Sequence, residues 1–269
     1  MCGIVGFSNR KKLFENEEYA IRKMSEKIAH RGETAEGYYN TEDVYLGHRR
    51  LSIRDIEKGT QPMSFSDENG NKYTIVYNGE IYNTEYLKQF LQSRGVVITT
   101  TSDTEILLKL YILLKEKCLE MLRGIFAFAI YSEPSGTIFL ARDQLGVKPL
   151  FYTIIDSDII FASEMKALLC LDEVPKVIDE EGIKELLGMG PVMPIGKNVF
   201  KGIKEVMPGN YVIFDRGNTL AVRYFKLKSY SFTDNVEWTA KKVHSLLSNS
   251  IRSQLVSDVK LRMSFIWWP

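Results

Sequence analysis

The opening segment, Met1-Cys2-Gly3-Ile4-Val5-Gly6-Phe7, constrains the fold more than any other stretch. A run of small and apolar residues beside a chain terminus reads as a buried strand, which anchors that terminus inside a sheet instead of leaving it frayed. Cys2 stands directly before the run. A side chain this small at position two favours removal of the initiator Met1, and Cys2 would then carry both a thiol and a free α-amine. The thiolate is a strong nucleophile. An α-amine titrates near pH ~8, so it can take the thiol proton at neutral pH. By position alone an N-terminal cysteine is more often an accident, and the strand behind it shifts that weighting.

The remaining bounds are ordinary. The 269 residues suffice for one large domain, or one domain and part of another. A net charge of +1 gives no footprint for nucleic acid or a polybasic membrane surface. No apolar run is long enough to span a bilayer, and the N-terminus lacks the layout of a secretory signal. Cys2, Cys118 and Cys170 show neither disulfide nor zinc spacing. A reducing cytoplasm fits, with Cys118 and Cys170 as inert core residues.

Along the chain, Glu17 to His30 carries a helical stripe, and short strand-like runs follow at 37–40, 44–47 and 73–77. Asn83 to Arg94 reads as a helix stopped by Gly95. Ser102 to Glu105 has the form of a capping box opening a helix to about Lys115. Strands are expected at 125–131, 137–141, 150–154 and 159–162, then a helix at 179–187 and a Gly/Pro-rich loop at 188–196. A hairpin turns at Gly217-Asn218, and 235–255 is an amphipathic helix. Blocks of strands and helices in this order suggest stacked layers, not a parallel βαβ sheet.

Several polar groups stand out. Arg50 lies in His48-Arg49-Arg50-Leu51-Ser52-Ile53, Asn78-Gly79-Glu80 follows a strand and precedes a helix, and Asp103 sits at a helix cap. Each has a bland reading alone: a turn, a helix start, a solvated strand end.

Together with Cys2 these segments resemble the class II glutamine amidotransferases, whose glutaminase domain has an N-terminal cysteine nucleophile, and within them the glutamine-hydrolysing asparagine synthetases. The resemblance is carried by Arg50-Leu51-Ser52-Ile53 with Gly59-Thr60-Gln61-Pro62-Met63, by Tyr77 to Asn83, Gly124 to Ala129, Arg142 to Tyr152, and Phe161 to Leu168. These occur in the family's order over roughly residues 2 to 260, and order with context is what gives short motifs weight.

The resemblance implies an α+β fold: a four-layer αββα sandwich of the N-terminal nucleophile hydrolase type, plus a C-terminal helix from the start of a truncated second domain. It divides the chain into a glutaminase domain (2–190), a linker and hairpin (191–234) and the beginning of an ATP-binding synthetase domain with an aberrant tail (235–269). Cys2 attacks the glutamine amide, and Asn78 with the Gly79 N–H forms the oxyanion hole. Arg50 grips the substrate α-carboxylate within the segment Arg50, Leu51, Ser52, Ile53 and Arg54, while Glu80 and Asp103 face the α-ammonium. The chemistry suits these types: a guanidinium matches a carboxylate, and a glycine lets backbone approach a developing charge. Arg54, where the family mostly has an aliphatic residue, is expected to point to solvent, and His48 to be structural.

Two further expectations follow from the resemblance. His30-Arg31-Gly32-Glu33-Thr34 replaces the family's His-Arg-Gly-Pro-Asp, which removes a fixed backbone angle and an acceptor near the site. The family's phosphate loop is replaced here by the tail ending Phe265-Ile266-Trp267-Trp268-Pro269, whose bulk cannot cradle phosphate. The codons for Trp-Trp-Pro, moved by one base, spell Gly-Gly, so the tail reads as that loop out of frame. The glutaminase half then needs no cofactor or metal, and ATP and Mg2+ belong to the synthetase domain. The partners are glutamine and either a second copy of the chain or a synthetase domain acting in trans, with no nucleic acid and no membrane. The alternatives are an amidotransferase serving another carboxylate acceptor and an inactive glutamine-binding remnant.

Overall fold

The computed structural model describes residues 2–52, 55, 58–189, 196, 198–231 and 233–255. Its described strands form two six-stranded antiparallel sheets. The first contains β1 (Gly3–Ser8), β2 (Ala35–Asn40), β3 (Val44–Arg50), β8 (Phe151–Ile155), β9 (Asp158–Ala162) and β10 (Lys204–Glu205), in the order β10-β8-β9-β1-β3-β2. The second contains β4 (Met63–Ser66), β5 (Lys72–Ile81), β6 (Gly124–Ser132), β7 (Thr137–Arg142), β11 (Asn210–Asp215) and β12 (Asn218–Arg223), in the order β12-β11-β7-β6-β5-β4.

Side-chain alternation sorts the apolar residues into three packed interfaces. On β1, Ile4 faces the second sheet together with Leu46 of β3 and Phe161 of β9. Val5 and Phe7 face the other way, against Ala20, Ile21 and Met24 of α1 (Glu17–Lys27) and Ala167 and Leu168 of α4 (Met165–Leu169). On β5, Ile75, Tyr77 and Ile81 pack beneath α2 (Thr84–Ser93) and α3 (Asp103–Leu114) through Leu87, Leu91, Ile106, Leu107 and Leu110. Val76 of the same strand joins the layer between the sheets. Both sheets are therefore covered on both faces, giving four layers, αββα. The expected first strand is buried along its whole length. Gly6 has no room for a side chain, since a Cβ there would stand 2.4 Å from the Phe161 ring.

Local chemistry explains the helix ends. Asn16 caps α1 by accepting from Tyr19 N–H at 2.9 Å. Beyond α2, Gly95 (φ +80°) donates to Gln92 O and Val96 N–H reaches back to Leu91 O, a Schellman closure. The capping box at α3 is only half made. Ser102 Oγ accepts from Thr104 N–H at 3.2 Å, whereas Glu105 reaches past Ser102 to Thr99 N (2.8 Å) and Thr100 N (2.5 Å) and ion-pairs with Lys109.

Other expectations change. Asn78-Gly79-Glu80 does not follow a strand but lies inside β5, because β6 pairs with that strand as far as Ile81. Strand β4 and helix α4 carry no expectation, being only four and five residues long. The hairpin, placed outside the 2–190 unit by sequence, is hydrogen-bonded into the second sheet through β11 and β7, so that unit runs at least to Arg223. Cys118 is fully buried, while Cys170 is only half-buried. Two further helices follow the sheets' central strands, α5 (Glu180–Met189) and α6 (Val236–Gln254). Helix α6 starts at an Asn235 cap as its pattern implies, but none of its residues is buried, and Val243, Leu247 and Ile251 stay about half-exposed. The segments 191–195 and 256–269, which hold most of the Gly/Pro-rich loop and the aberrant tail, lie outside the described residues, as do Ile53 and Arg54.

His48 is a polar tie between the sheets. It projects from β3 and its Nε2 lies 3.1 Å from Tyr77 O on β5, fully buried. Burial pushes its pKa down to about 4. The unfolded chain therefore binds a proton on His48 that the folded chain refuses, so this contribution to stability is intact above pH ~6.5 and falls as pH drops toward 4. A His48→Gln variant is expected to show a flatter loss of unfolding free energy between those pH values, by up to about 1.4 kcal/mol per pH unit; urea titrations at pH 7, 5.5 and 4.5 read the difference. A chain cut after residue 190 is expected to aggregate, because it bares the β7 edge that β11 covers. One ending at residue 225 should give a cooperative thermal melt.

Candidate active site

Antiparallel register brings the first functional group to its place. Gly3 pairs with Arg49 across β1 and β3, so Cys2 falls opposite Arg50. Cys2, Ile4 and Gly6 share the face turned toward the second sheet, as do Leu46, His48 and Arg50. The half-buried Cys2 thiol sits against the backbone beyond β3: Leu51 N–H donates to Sγ at 3.4 Å, and Sγ–H donates to Leu51 O at 3.7 Å. Burial raises the thiol pKa, and the Leu51 contact and the Arg50 charge offset this in part. Asp103 pushes in the raising direction, which places both Arg50 and Asp103 within electrostatic range of the sulfur.

The strand carrying Cys2 is fastened from behind. Arg31, in the 3-10 turn Ala29–Arg31, donates Nε–H to Cys2 O at 3.0 Å and ion-pairs through Nη1 with Glu164 at 2.7 Å. Glu164 also takes His30 Nε2 and Lys166 Nζ, each at 3.0 Å. Burial raises its carboxyl pKa, but the Arg31, Lys166 and His30 contacts outweigh this and hold it at about 2. Next door, Ser163 clamps Ile4 on both sides: Ile4 N–H donates to Ser163 Oγ at 3.0 Å and Ser163 N–H donates to Ile4 O at 2.9 Å. The departures at Glu33-Thr34 leave this turn in place. Thr34 N–H donates to Arg50 O at 3.0 Å, and Thr34 Oγ1 accepts from Ser52 N–H at 3.4 Å. Gly32 runs so close to β3 that a Cβ would lie 2.5 Å from the Arg49 carbonyl carbon.

Strand β5 supplies the opposing wall. Its partner β4 ends its pairing at Met63↔Ile75, six residues before β5 does. Beyond that point the backbone groups on this side of β5 need other partners. Tyr77 N–H donates to Gln61 Oε1 at 2.6 Å, and Ile81 N–H donates to Asp103 Oδ2 at 3.0 Å. Gly79 lies between them. Its cross-strand partner Phe126 turns its N–H to Asp143 Oδ2 (3.2 Å) and its C=O to Asp143 N–H (2.8 Å), toward the β7 side. Gly79 and Phe126 are therefore a non-hydrogen-bonded pair, and the Gly79 N–H faces the open side with Tyr77 and Ile81. No described side chain bonds to it. A Cβ on Gly79 would lie 2.4 Å from Ile125 O and 2.7 Å from the Tyr77 ring, so no larger residue fits.

Asn78 projects from the other face of β5, into the layer between the sheets. It is buried, and its Nδ2 has no hydrogen-bond partner among the described residues. Leaving a buried amide donor unmet costs free energy, so such a group calls for a functional reason. Asp103 is the first residue of α3, one place after the cap, and its Oδ2 also accepts from Tyr77 Oη at 2.9 Å. Glu80 is half-exposed on the same face as Asn78.

The structure thus gathers Cys2, Arg50 and Asp103 at one end of the sandwich, with Asn78 and Gly79 on the adjoining stretch of β5. Leu51 contributes its backbone to the sulfur, Ser52 hydrogen-bonds Thr34, and Ile53 and Arg54 lie outside the described residues. Sequence reasoning missed Arg31, Gln61, Ser163, Glu164 and Lys148. Lys148 is buried, and its pKa is lowered by desolvation and by Arg31 while Cys2, Asp143 and Glu80 work against the shift. It stands on a turn organised by Asp143, whose carboxylate accepts from Leu145, Val147 and Lys148 N–H. The Asp-x-x-Gly spacing of that turn was the available signal.

A half-buried thiol, unspent donors on the facing stretch of β5, and a guanidinium and a carboxylate both within electrostatic range of the sulfur come together at one end of the sandwich. Residues 1–225 match the family of the glutamine amidotransferase domain, and the chain belongs to that family. Over 96% of its length it is 41% identical to asparagine synthetase [glutamine-hydrolyzing] 3 of Bacillus subtilis and 36% identical to asparagine synthetase [glutamine-hydrolyzing] 1 of the same organism. It spans only 42% and 41% of those two proteins' own lengths. Among solved structures, the fold matches glutamine phosphoribosylpyrophosphate amidotransferase from B. subtilis with a TM-score of 0.60 at 22% identity, over 83% of this chain and 49% of that one. The allosteric regulatory enzyme of purine biosynthesis matches with a TM-score of 0.62 at 21% identity, over the same shares.

The raised thiol pKa has a direct readout. Iodoacetamide alkylation of Cys2, followed by peptide mass, is expected to accelerate only above the pH at which free cysteine inflects. An inflection below that of free cysteine would show that Arg50 and the Leu51 N–H outweigh burial.

Proposed function

We propose that this chain hydrolyses the side-chain amide of glutamine to glutamate and ammonia, with Cys2 as nucleophile. The carrying observation is the pair of unspent donors, Asn78 Nδ2 and Gly79 N–H, on the strand beside the thiol. Because the thiol is protonated at neutral pH, its attack needs a base. Removal of Met1 supplies one in the Cys2 α-amine. The amine takes the thiol proton as Sγ attacks the amide carbon. The oxyanion is met by Asn78 and Gly79, which are already oriented and cost no reorganisation during the step. Collapse returns the proton to the leaving nitrogen, releases ammonia and leaves a γ-glutamyl thioester on Cys2. Water then attacks the thioester and frees the thiol.

Binding follows from the charges. Arg50 takes the α-carboxylate of glutamine, and Asp103 with Glu80 takes the α-ammonium, so the two ends of a zwitterion meet opposite signs. The ammonia acceptor is aspartate activated by ATP with Mg2+, a reading supported by the likeness to the two B. subtilis asparagine synthetases. That step belongs to a synthetase domain, which completes the reaction. The cytoplasm, a reducing compartment, suits a free catalytic thiol.

Glutamate release measured on protein whose intact mass shows Met1 removed is the test. Cys2→Ala is expected to abolish it, and Asn78→Ala to lower kcat by about 10²–10³. The rate should rise with pH through the amine's titration near pH ~8. Equal rates for wild type and Cys2→Ala would end the catalytic reading and leave a glutamine-binding module.

A further inference from the structure

Asp55, between β3 and β4, has no role in the reading above. It is buried and sits at φ +44°, in the left-handed region that favours glycine and that Asp and Asn tolerate best among other residues. Its two ends face different arms of the site. The main-chain oxygen accepts from Arg50 Nη2 at 2.6 Å and from Gly59 N–H at 2.8 Å. The carboxylate accepts from Lys58 N–H at 2.9 Å through Oδ1 and from Thr101 N–H at 3.0 Å through Oδ2. Thr101 directly precedes the Ser102 cap and Asp103.

The surroundings are built to this arrangement. Gly59 must lack a side chain, since a Cβ there would stand 2.6 Å from Arg50 Nη2 and 2.8 Å from Asp55 O. The loop before α3 is held from two directions. Glu105 ties Thr99 and Thr100 to α3 itself, and Asp55 ties Thr101 to the segment that bears Arg50. Burial raises the Asp55 carboxyl pKa, but the Lys58 and Thr101 N–H groups and the Arg50 charge outweigh it, so the group is an anion at neutral pH.

We propose that Asp55 is a positioning residue that sets the span between Arg50 and Asp103, and with it the requirement for a ligand carrying both an α-carboxylate and an α-ammonium. The proposal rests on the preceding assignment of Arg50 and Asp103 to those two groups. Asp55 touches no substrate. Its carbonyl holds the carboxylate-binding arm, and its side chain holds the loop that carries the ammonium-binding arm. Losing the side chain should therefore weaken recognition of the ammonium and leave that of the carboxylate.

The test compares glutamine with 4-carbamoylbutanoate, which is glutamine without its α-amine. Asp55→Asn keeps one good acceptor for two N–H donors. Asp55→Gly keeps both main-chain contacts and suits the positive φ, so its backbone gains in ease where the side chain is lost. Both variants are expected to lose about tenfold of the wild-type preference for glutamine in kcat/KM, chiefly through KM, with kcat changed less than about twofold. Asp103→Asn should lose the same preference, and Asp55→Gly/Asp103→Asn no more than Asp103→Asn alone, because the two residues act through one arm. If wild type hydrolyses glutamine through Cys2 while the folded Asp55 variants keep its preference, or if the two losses add, the positioning role is overturned. If wild type shows no Cys2-dependent hydrolysis, the site assignment fails first and this proposal falls with it.

Discussion

Strand β5 outruns its neighbour, and the site is the consequence. Once β4 stops pairing at Ile75, three N–H groups of β5 on that side, those of Tyr77, Gly79 and Ile81, have no ladder to join. Buried backbone donors are almost always satisfied, so each gap must be filled or put to use. Gln61 fills the first, in the register position β4 would have continued through, and Asp103 fills the last. The middle one remains. An edge that elsewhere invites aggregation becomes a donor site here because polar side chains close it on both sides.

This arrangement explains why fold and site were legible to different degrees. Alternation in Ile4-Val5-Gly6-Phe7 and the apolar stripe of α3 announced buried strands and covering helices, because burial imposes a period on sequence. The site residues reached their positions by register, which sequence does not print. Arg50 was legible as a candidate only in its motif, yet it stands opposite Cys2 because β1 and β3 pair with Gly3 against Arg49. The Asn78-Gly79 pair looked like a turn by composition, since short-range preference favours one. Nine residue pairs with β6, from Tyr73 through Ile81, override that preference and extend the strand through it. Arg31, Ser163 and Glu164 were invisible for a related reason. Arg31 and Ser163 hold the backbone of Cys2 and Ile4 from 29 and 159 residues away, Glu164 holds Arg31 from 133 residues away, and nothing local marks such contacts.

The charges around the sulfur form a balanced set. Arg31 is paired with Glu164, and Lys148 lies within range of Asp143 and Glu80. Arg50 and Asp103 act on the thiol with opposite sign. Desolvation is the largest single influence on the sulfur, and it favours the neutral thiol. A cysteine held this way differs from one whose thiolate is permanently stabilised at a helix N-terminus. Burial keeps such a thiol in its protonated form at neutral pH, so attack on an amide calls for a base.

That dependence gives the fastening of β1 its meaning. If the base is the α-amine of Cys2, nucleophile and base are three bonds apart along one residue, and no other element can correct their geometry. The peptide following Cys2 must then be fixed, or the amine and the sulfur will share their orientation with the motion of a chain end. The contacts fall where this argument requires them. Arg31 holds the Cys2 carbonyl, Ser163 holds both the N–H and the C=O of Ile4, and Leu51 N–H meets the sulfur itself. The Arg31 guanidinium is in turn fixed by Glu164, which stays ionised down to about pH 2. A terminus is ordinarily the least ordered part of a domain, and here burial of Gly3–Ser8 and these four partners make it one of the most constrained.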